Sequence, residues 1–403
     1  MTAPAAPQKE IFLPQGFSFA AATAGIKASG RPDLALAVAC AGATAAAVFT
    51  RNRAVAAPLI VDREALRSSR GRMRAVLVNS GNANCATGAG GLQACRKVCR
   101  AAGQALGMHA DEVFPSSTGI IGVPLPAEKI LAKLPQLSST KQASLGALNE
   151  FAAAIMTTDT RPKLASARFR AGKASVTLTG VAKGAGMIHP QLATMLVYLF
   201  SDVAATPAEL KRLLSQACNQ TFNCISIDGD TSTNDTVLLL ASGASGASLR
   251  SAGARFFAAL LEVCQSLAYQ IVSDGEGVKH VIRLSVEQAK NRAEALRIAK
   301  AIAHSLLVKT AWAGADPNWG RILAAAGACG VPLQPEHLEI SIGRQTVFRH
   351  GAVSPFDQGQ AHNDLSQPAC DVGIRLGRGR AGIVFYTTDL TAEYVRINAD
   401  YST

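Results

Sequence analysis

The stretch KGAGMIHPQLATMLVYLFSD, residues 183–202, constrains this chain more than any other. Lys183-Gly184-Ala185-Gly186 is a flexible, glycine-rich approach. His189-Pro190-Gln191 is a turn, because proline fixes its own φ and restricts the residue before it. Residues 194–200, TMLVYLF, then read as a fully buried strand. A threonine placed where a glycine loop runs into a buried strand has two readings. It is a β-branched strand residue that satisfies its own hydroxyl, or it is a nucleophile held on rigid backbone with loose chain before it.

At 403 residues the chain can bury a large core, as two domains or one elaborate one. The first ten residues, MTAPAAPQKE, carry no apolar h-region, and the alanine-rich stretch 34–49 is interrupted by Gly42 and Thr44 and falls short of a membrane span. A soluble, cytoplasmic protein with no membrane partner is expected. The nine cysteines form no CxxC pair, which disfavours a zinc site or a disulfide framework and favours reduced, buried thiols. The net charge of +12 raises nucleic acid as a partner. The basic clusters Arg67, Arg70, Arg72, Arg74 and Arg375, Arg378, Arg380 lack the interleaved aromatics of a base-stacking surface, so no nucleic acid is expected. The basic surface instead suits the steering of anionic amino-acid substrates.

Along the chain, residues 75–78 read as a short buried strand feeding a polar turn, NSGNAN, at 79–84. Residues 92–106 read as a helix. PSSTGIIG at 115–122 reads as a tight loop of small residues, with a glycine N–H and a nearby hydroxyl of the kind an oxyanion hole uses. MTTDTRPK at 156–163 follows a short helix. Thr206, Pro207 and Glu209 make a helix start with N-cap, first-turn proline and N3 acid. A second helix runs through Phe256, Leu260, Cys264, Leu267 and Ile271 to the turn SDGEG at 273–277. The run DGDTSTND at 228–235 lacks the ligand order and closing Glu of a calcium loop, so no metal is expected there. A long helix over 288–305 and strands near 338–342, 372–376 and 382–386 complete the pattern.

GMIHPQLATML closely resembles a signature of the ornithine acetyltransferase (glutamate N-acetyltransferase) family, GMIHPNMATML, with Gln191 standing for Asn and Leu192 for Met. The segments VNSGNAN, STG, MTTDT-x-PK, DGDTSTND, DGEG, KTA, DPNWGR and the C-terminal TDLT-xx-YV-x-IN-A-x-Y-x-T resemble the same family in the same order. Val278-Lys279-His280 departs from its usual Ala-Thr-Lys. The resemblance implies an α/β fold: a layered α-β-β-α domain over residues 1–283, then a smaller α/β domain over 284–403 whose tail returns to the site. It implies self-cleavage between Ala193 and Thr194, giving an α chain of residues 1–193 and a β chain from 194, which assemble as an α2β2 heterotetramer.

On that resemblance Thr194 is the acyl-carrying nucleophile, and Thr118 and Gly119 form the oxyanion hole. Thr157, Lys183, Thr194, Glu276, Asn398 and Thr403 contact substrate. The implied reaction is ping-pong transfer of acetyl from N-acetylornithine to glutamate in arginine biosynthesis, with no cofactor and with acetyl-CoA as a possible further co-substrate. His189, before Pro190 in a turn, reads as structural. Two other functions stay open: an amidase or aminopeptidase that passes the acyl group from the same threonine to water, and a basic, uncut binding protein on the same scaffold.

Overall fold

The computed structural model describes residues 10–189 and 195–400. The chain builds three sheets. The first part of the chain forms β1 (Phe17–Ala22), β2 (Leu34–Ala39), β3 (Thr44–Phe49), α1 (Ala57–Ser68), β4 (Ala75–Asn82), α2 (Gly88–Leu106), β5 (Val113–Ile120), α3 (Ala127–Thr140) and α4 (Leu145–Ala154). Next come β6 (Lys163–Ala171), β7 (Ala174–Lys183), β8 (Leu196–Ser201), α5 (Pro207–Gln220), β9 (Thr236–Ala241) and α6 (Leu249–Ser273). The remainder forms β10 (Val281–Ala289), α7 (Arg292–Ala303), α8 (Leu306–Ala313), α9 (Trp319–Gly327), β11 (Glu339–Ile342), β12 (Gln345–Arg349), β13 (Ala352–Val353), α10 (Gln358–Leu365), β14 (Ala369–Arg375), β15 (Ala381–Thr388) and α11 (Ala392–Asp400).

The strand orders are β1-β2-β4-β5, β3-β9-β8-β7-β6 and β13-β12-β11-β14-β10-β15. The first two sheets pack face to face. Phe17, Phe19, Val76 and Phe114 of one share a core with Val181, Tyr198, Phe200 and Leu238 of the other. The outer face of the first sheet is covered by Cys95, Val98 and Cys99 of α2 and Ile130, Leu134 and Leu137 of α3. The outer face of the second is covered by α5 and α6. This is the layered α-β-β-α arrangement. Strand β8 explains why its sequence is apolar without alternation: Val197 and Leu199 face the helices, while Leu196, Tyr198 and Phe200 face the opposing sheet. Helix α6 is long and apolar for the same reason, since Phe256, Leu260, Val263, Cys264, Leu267 and Ile271 all enter that core.

The third sheet has its own core, formed with α7 to α10 around Trp312. Residue 283 lies within β10, whose Val281 belongs to the second sheet's helical core and whose Ile282 and Leu284 belong to the third's.

Three local expectations are corrected. The polar segment after residue 78 is not a turn: β4 continues through Asn82, pairing in parallel with β5. Its buried side chains are satisfied, since Asn79 Oδ1 accepts from Ser117 Oγ at 2.6 Å and Ser80 Oγ donates to Ala154 O at 2.6 Å. Residues 115–120 likewise belong to β5 rather than to a loop. The helix expected from 288 begins only at Arg292, because Gln288 and Ala289 finish β10, Gln288 takes a left-handed φ of 56°, and Asn291 caps the helix through Glu294 N. The helix start at Thr206 is as read, with the Thr206 and Glu209 side chains bonding reciprocally to backbone N–H groups.

Candidate active site

One pocket is lined by Thr118, Gly119, Thr157, Lys183, Glu276 and Asn398, six of the residues singled out from sequence. The remaining three, Ala193, Thr194 and Thr403, lie outside the described residues. The chain enters and leaves the intervening segment at fixed points. On the near side, β7 ends at Lys183, and Met187 and Ile188 donate their N–H groups to Asp228 at 2.5 and 2.8 Å. On the far side, Met195 N donates to Asp235 Oδ1 at 2.9 Å, and Met195 O accepts from Thr236 N at 3.2 Å. The bond between 193 and 194 therefore lies one residue from a backbone anchored at the head of β8.

Thr118 and Gly119 stand at the end of β5, opposite Ser80 and Gly81 of β4. Asn234 ties this strand end to the loop before β9, its Nδ2 donating to Ala83 O at 2.7 Å and Ser117 O at 2.9 Å. Lys183 Nζ donates to Thr157 Oγ1 at 2.9 Å and to Thr118 Oγ1 at 3.3 Å. Lys183 is buried, and burial lowers its pKa; Asp159 opposes this, Lys163 adds to it, and Asp235 and Glu276 oppose it more weakly. Glu276 follows α6, with its N–H donating to Ala185 O at 2.9 Å. A Cβ on Gly186 would fall 2.5 Å from Glu276 Oε2, so the glycine lets the carboxylate pack against the backbone that leads to residue 194. Asn398 of α11 donates to Glu276 Oε2 at 2.9 Å, bringing the C-terminal helix to the pocket.

Several polar residues of this region had no role assigned from sequence. Asp228 has its pKa raised to about 6, mainly by burial, against backbone N–H groups that favour the carboxylate. Burial pushes Asp235 well above the ordinary carboxylate range. Tyr394 lines the same pocket. The segments DGDTSTND and TDLT-xx-YV contained them, but only tertiary contact separates their pocket members from the rest.

His189 pairs with His304, the C-cap of α7: Nδ1 to Nε2 is 3.2 Å, and His304 Nε2 lies 3.0 Å from Ser226 Oγ. Burial lowers His189 to about 4, helped by Lys300; burial, His189, Lys309 and Lys300 lower His304 to about 3. An unfolded histidine titrates near about 6.5. The unfolded chain therefore takes up protons first, and the stability that the neutral pair provides above about pH 6.5 is lost as pH falls toward about 4. The melting temperature should drop over that window, and more steeply in the unaltered protein than in His304→Gln. Parallel pH curves for the two would remove the pair from the acid response.

The profile of the ArgJ family matches residues 18–403. The chain is similar to the arginine biosynthesis bifunctional protein ArgJ of Geobacter sulfurreducens, at 44% identity over 96% of this chain and 99% of that protein. It is similar to the protein of the same name from Thermus thermophilus at 45% identity, over 98% of this chain and all of that one (100%). A crystal structure of ornithine acetyltransferase from Mycobacterium tuberculosis, complexed with ornithine, matches at 39% identity with a TM-score of 0.40, over 45% of this chain and 94% of that chain.

Proposed function

Because this chain belongs to the ArgJ family, we propose that it transfers acetyl from N-acetylornithine to glutamate through an acetyl ester on Thr194. The observation that carries this reading is the convergence of Thr118, Gly119, Thr157, Lys183, Glu276 and Asn398 on one pocket beside the anchored Met195.

In this reading the chain first cuts itself. Thr194 Oγ adds to the Ala193 carbonyl, the C–N bond breaks, and the hydroxyl proton ends on the new amine. Water then hydrolyses the ester. The freed α-amine, with a reference pKa of about 7.7–8.0, is partly neutral at neutral pH and takes the Thr194 hydroxyl proton in each later turnover. N-acetylornithine acylates Thr194 and ornithine leaves; the amine of glutamate then attacks the ester and N-acetylglutamate departs. Thr118 and the Gly119 N–H stabilise the oxyanion in every step. Lys183 as an ammonium holds a substrate carboxylate, Glu276 the ornithine ammonium, and Asn398 and Thr403 the amino-acid backbone. The protein acts in the cytoplasm as an α2β2 assembly of cut chains without a cofactor, and acetyl-CoA serves as a second acetyl donor.

The decisive experiment supplies N-acetylornithine labelled in its acetyl group, with and without glutamate. Label should appear in N-acetylglutamate. Release of free acetate at the same rate whether or not glutamate is present would make the protein a hydrolase instead.

A further inference from the structure

Beneath the pocket, two of the matched segments meet Lys183 in a row of buried charges. Lys163, at the start of β6, is fully buried, and its Nζ lies 2.6 Å from Asp159 Oδ1 and 2.5 Å from Asp274 Oδ2. Asp159 turns its second oxygen toward the pocket, where it accepts Thr157 N at 3.0 Å and lies 4.0 Å from Lys183 Nζ. Its first oxygen also accepts Gly184 N at 2.6 Å. Asp274, the C-cap of α6, accepts from Thr160 N at 3.1 Å and from the Thr160 hydroxyl, and precedes Glu276 by two residues. The row reads Asp274, Lys163, Asp159, Lys183, alternating in sign, with a pocket residue at or beside each end.

Stability is a weak reason for such a row. Removing several charges from water costs about as much as their attraction returns, and apolar residues of similar volume often do as well. What the row supplies is fixed placement and fixed charge. We propose that Lys163 is a positioning residue for acetyl transfer: by holding Asp159 and Asp274 it fixes Lys183 and Glu276 around the substrate. This rests on the acetyltransferase reading above.

The electrostatic consequence has a sign that a purely structural role lacks. Asp159, Asp235 and Glu276 favour the Lys183 ammonium, whereas Lys163 disfavours it, as does the half-buried Lys27 of the loop after β1. Removing the Asp159 charge should make Lys183 lose its proton at lower pH. Removing the Lys163 charge should make it keep its proton to higher pH. Neutralising Asp274 removes a remote anion and leaves Lys163 to lean on Asp159, so it should act in the same direction as the Asp159 change, but less.

The test is the pH dependence of kcat/KM for acetyl transfer from N-acetylornithine, in the unaltered protein and in Asp159→Asn, Lys163→Met and Asp274→Asn. Lys183→Arg, whose guanidinium stays charged, identifies the alkaline limb that belongs to Lys183 by abolishing it. That limb should move to lower pH by about 1 unit in Asp159→Asn, whose carboxylate lies 4.0 Å from Lys183 Nζ, and to higher pH in Lys163→Met. Should Lys163→Met fail to fold, Asp274→Asn, which keeps the Lys163–Asp159 pair, carries the test with a smaller shift to lower pH. Loss of activity with an unmoved limb, or a limb that moves the same way in Asp159→Asn and Lys163→Met, overturns the role of the row. Absence of transfer in the unaltered protein overturns the acetyltransferase reading itself, and with it the role given to Lys163.

Discussion

Thr194→Ala should yield an uncut chain of 403 residues and no acetyl transfer. An intact mass spectrum of the denatured, unaltered protein should instead show two pieces, residues 1–193 and 194–403, the second beginning TMLVYLF on N-terminal sequencing. The loss is expected to be total for cutting and about 10⁴-fold or greater for transfer, since removal of a covalent nucleophile leaves only binding and oxyanion stabilisation. Thr194→Ser keeps a hydroxyl at the same position and should retain both steps at reduced rate. Alanine also leaves the Met195 to Asp235 hydrogen bond in place, because that contact is made by the backbone of the next residue. A Thr194→Ala protein that transfers acetyl well above about 10⁻⁴ of the unaltered rate would sink the covalent scheme. An unaltered protein that stays whole would mean either that Gln191 and Leu192, the two departures just before the bond, block processing, or that the covalent scheme is wrong and the uncut binding protein is favoured.

The sequence made the pocket legible through resemblance: STG, MTTDT, the lysine of KGAG, DGEG and the asparagine near the C-terminus match the ornithine acetyltransferase family, whereas read alone they are turns and loops. It did not make the support beneath them legible. Asp159 and Lys163 stand four residues apart and could have been paired by eye, but Asp274 is 111 residues from Lys163, and only packing of α6 against β6 brings its carboxylate to the ammonium. His189 and His304 are separated by 115 residues and meet only where the loop after β7 reaches the C-terminal end of α7. The errors in local structure have a related origin. Polar, small residues at 79–82 and 115–120 resemble turns when read alone, and become strand only because each supplies the other's parallel partner. Gln288 reads as helix from sequence because β10, which runs on to Ala289, is paired on both sides by segments 80 or more residues away, β14 and β15.

That close parallel pairing makes Gly119→Ala the second large effect. Gly119 has a φ of 131°, a region that side-chain-bearing residues rarely adopt, and a Cβ there would lie 2.3 Å from Gly81 C and 2.5 Å from Asn82 N. Both obstacles are backbone, so no rotamer change relieves them, and the ends of β4 and β5 must separate. Separation shifts the N–H proposed for the oxyanion and the neighbouring Thr118 hydroxyl together. A fall in kcat of about 10²–10³-fold is expected, the size seen when one oxyanion donor is lost. Gly122 provides the comparison. It also has a left-handed φ, 84°, but a Cβ there would meet nothing within 4 Å. Gly122→Ala should therefore lower the melting temperature through backbone strain alone, a cost of roughly 1 kcal/mol or somewhat more, and leave kcat near that of the unaltered protein. Side-by-side measurement of kcat and melting temperature separates the two causes. Equal loss of kcat in both variants would mean that φ strain, and not the approach of β5 to Gly81, sets the geometry of the oxyanion site.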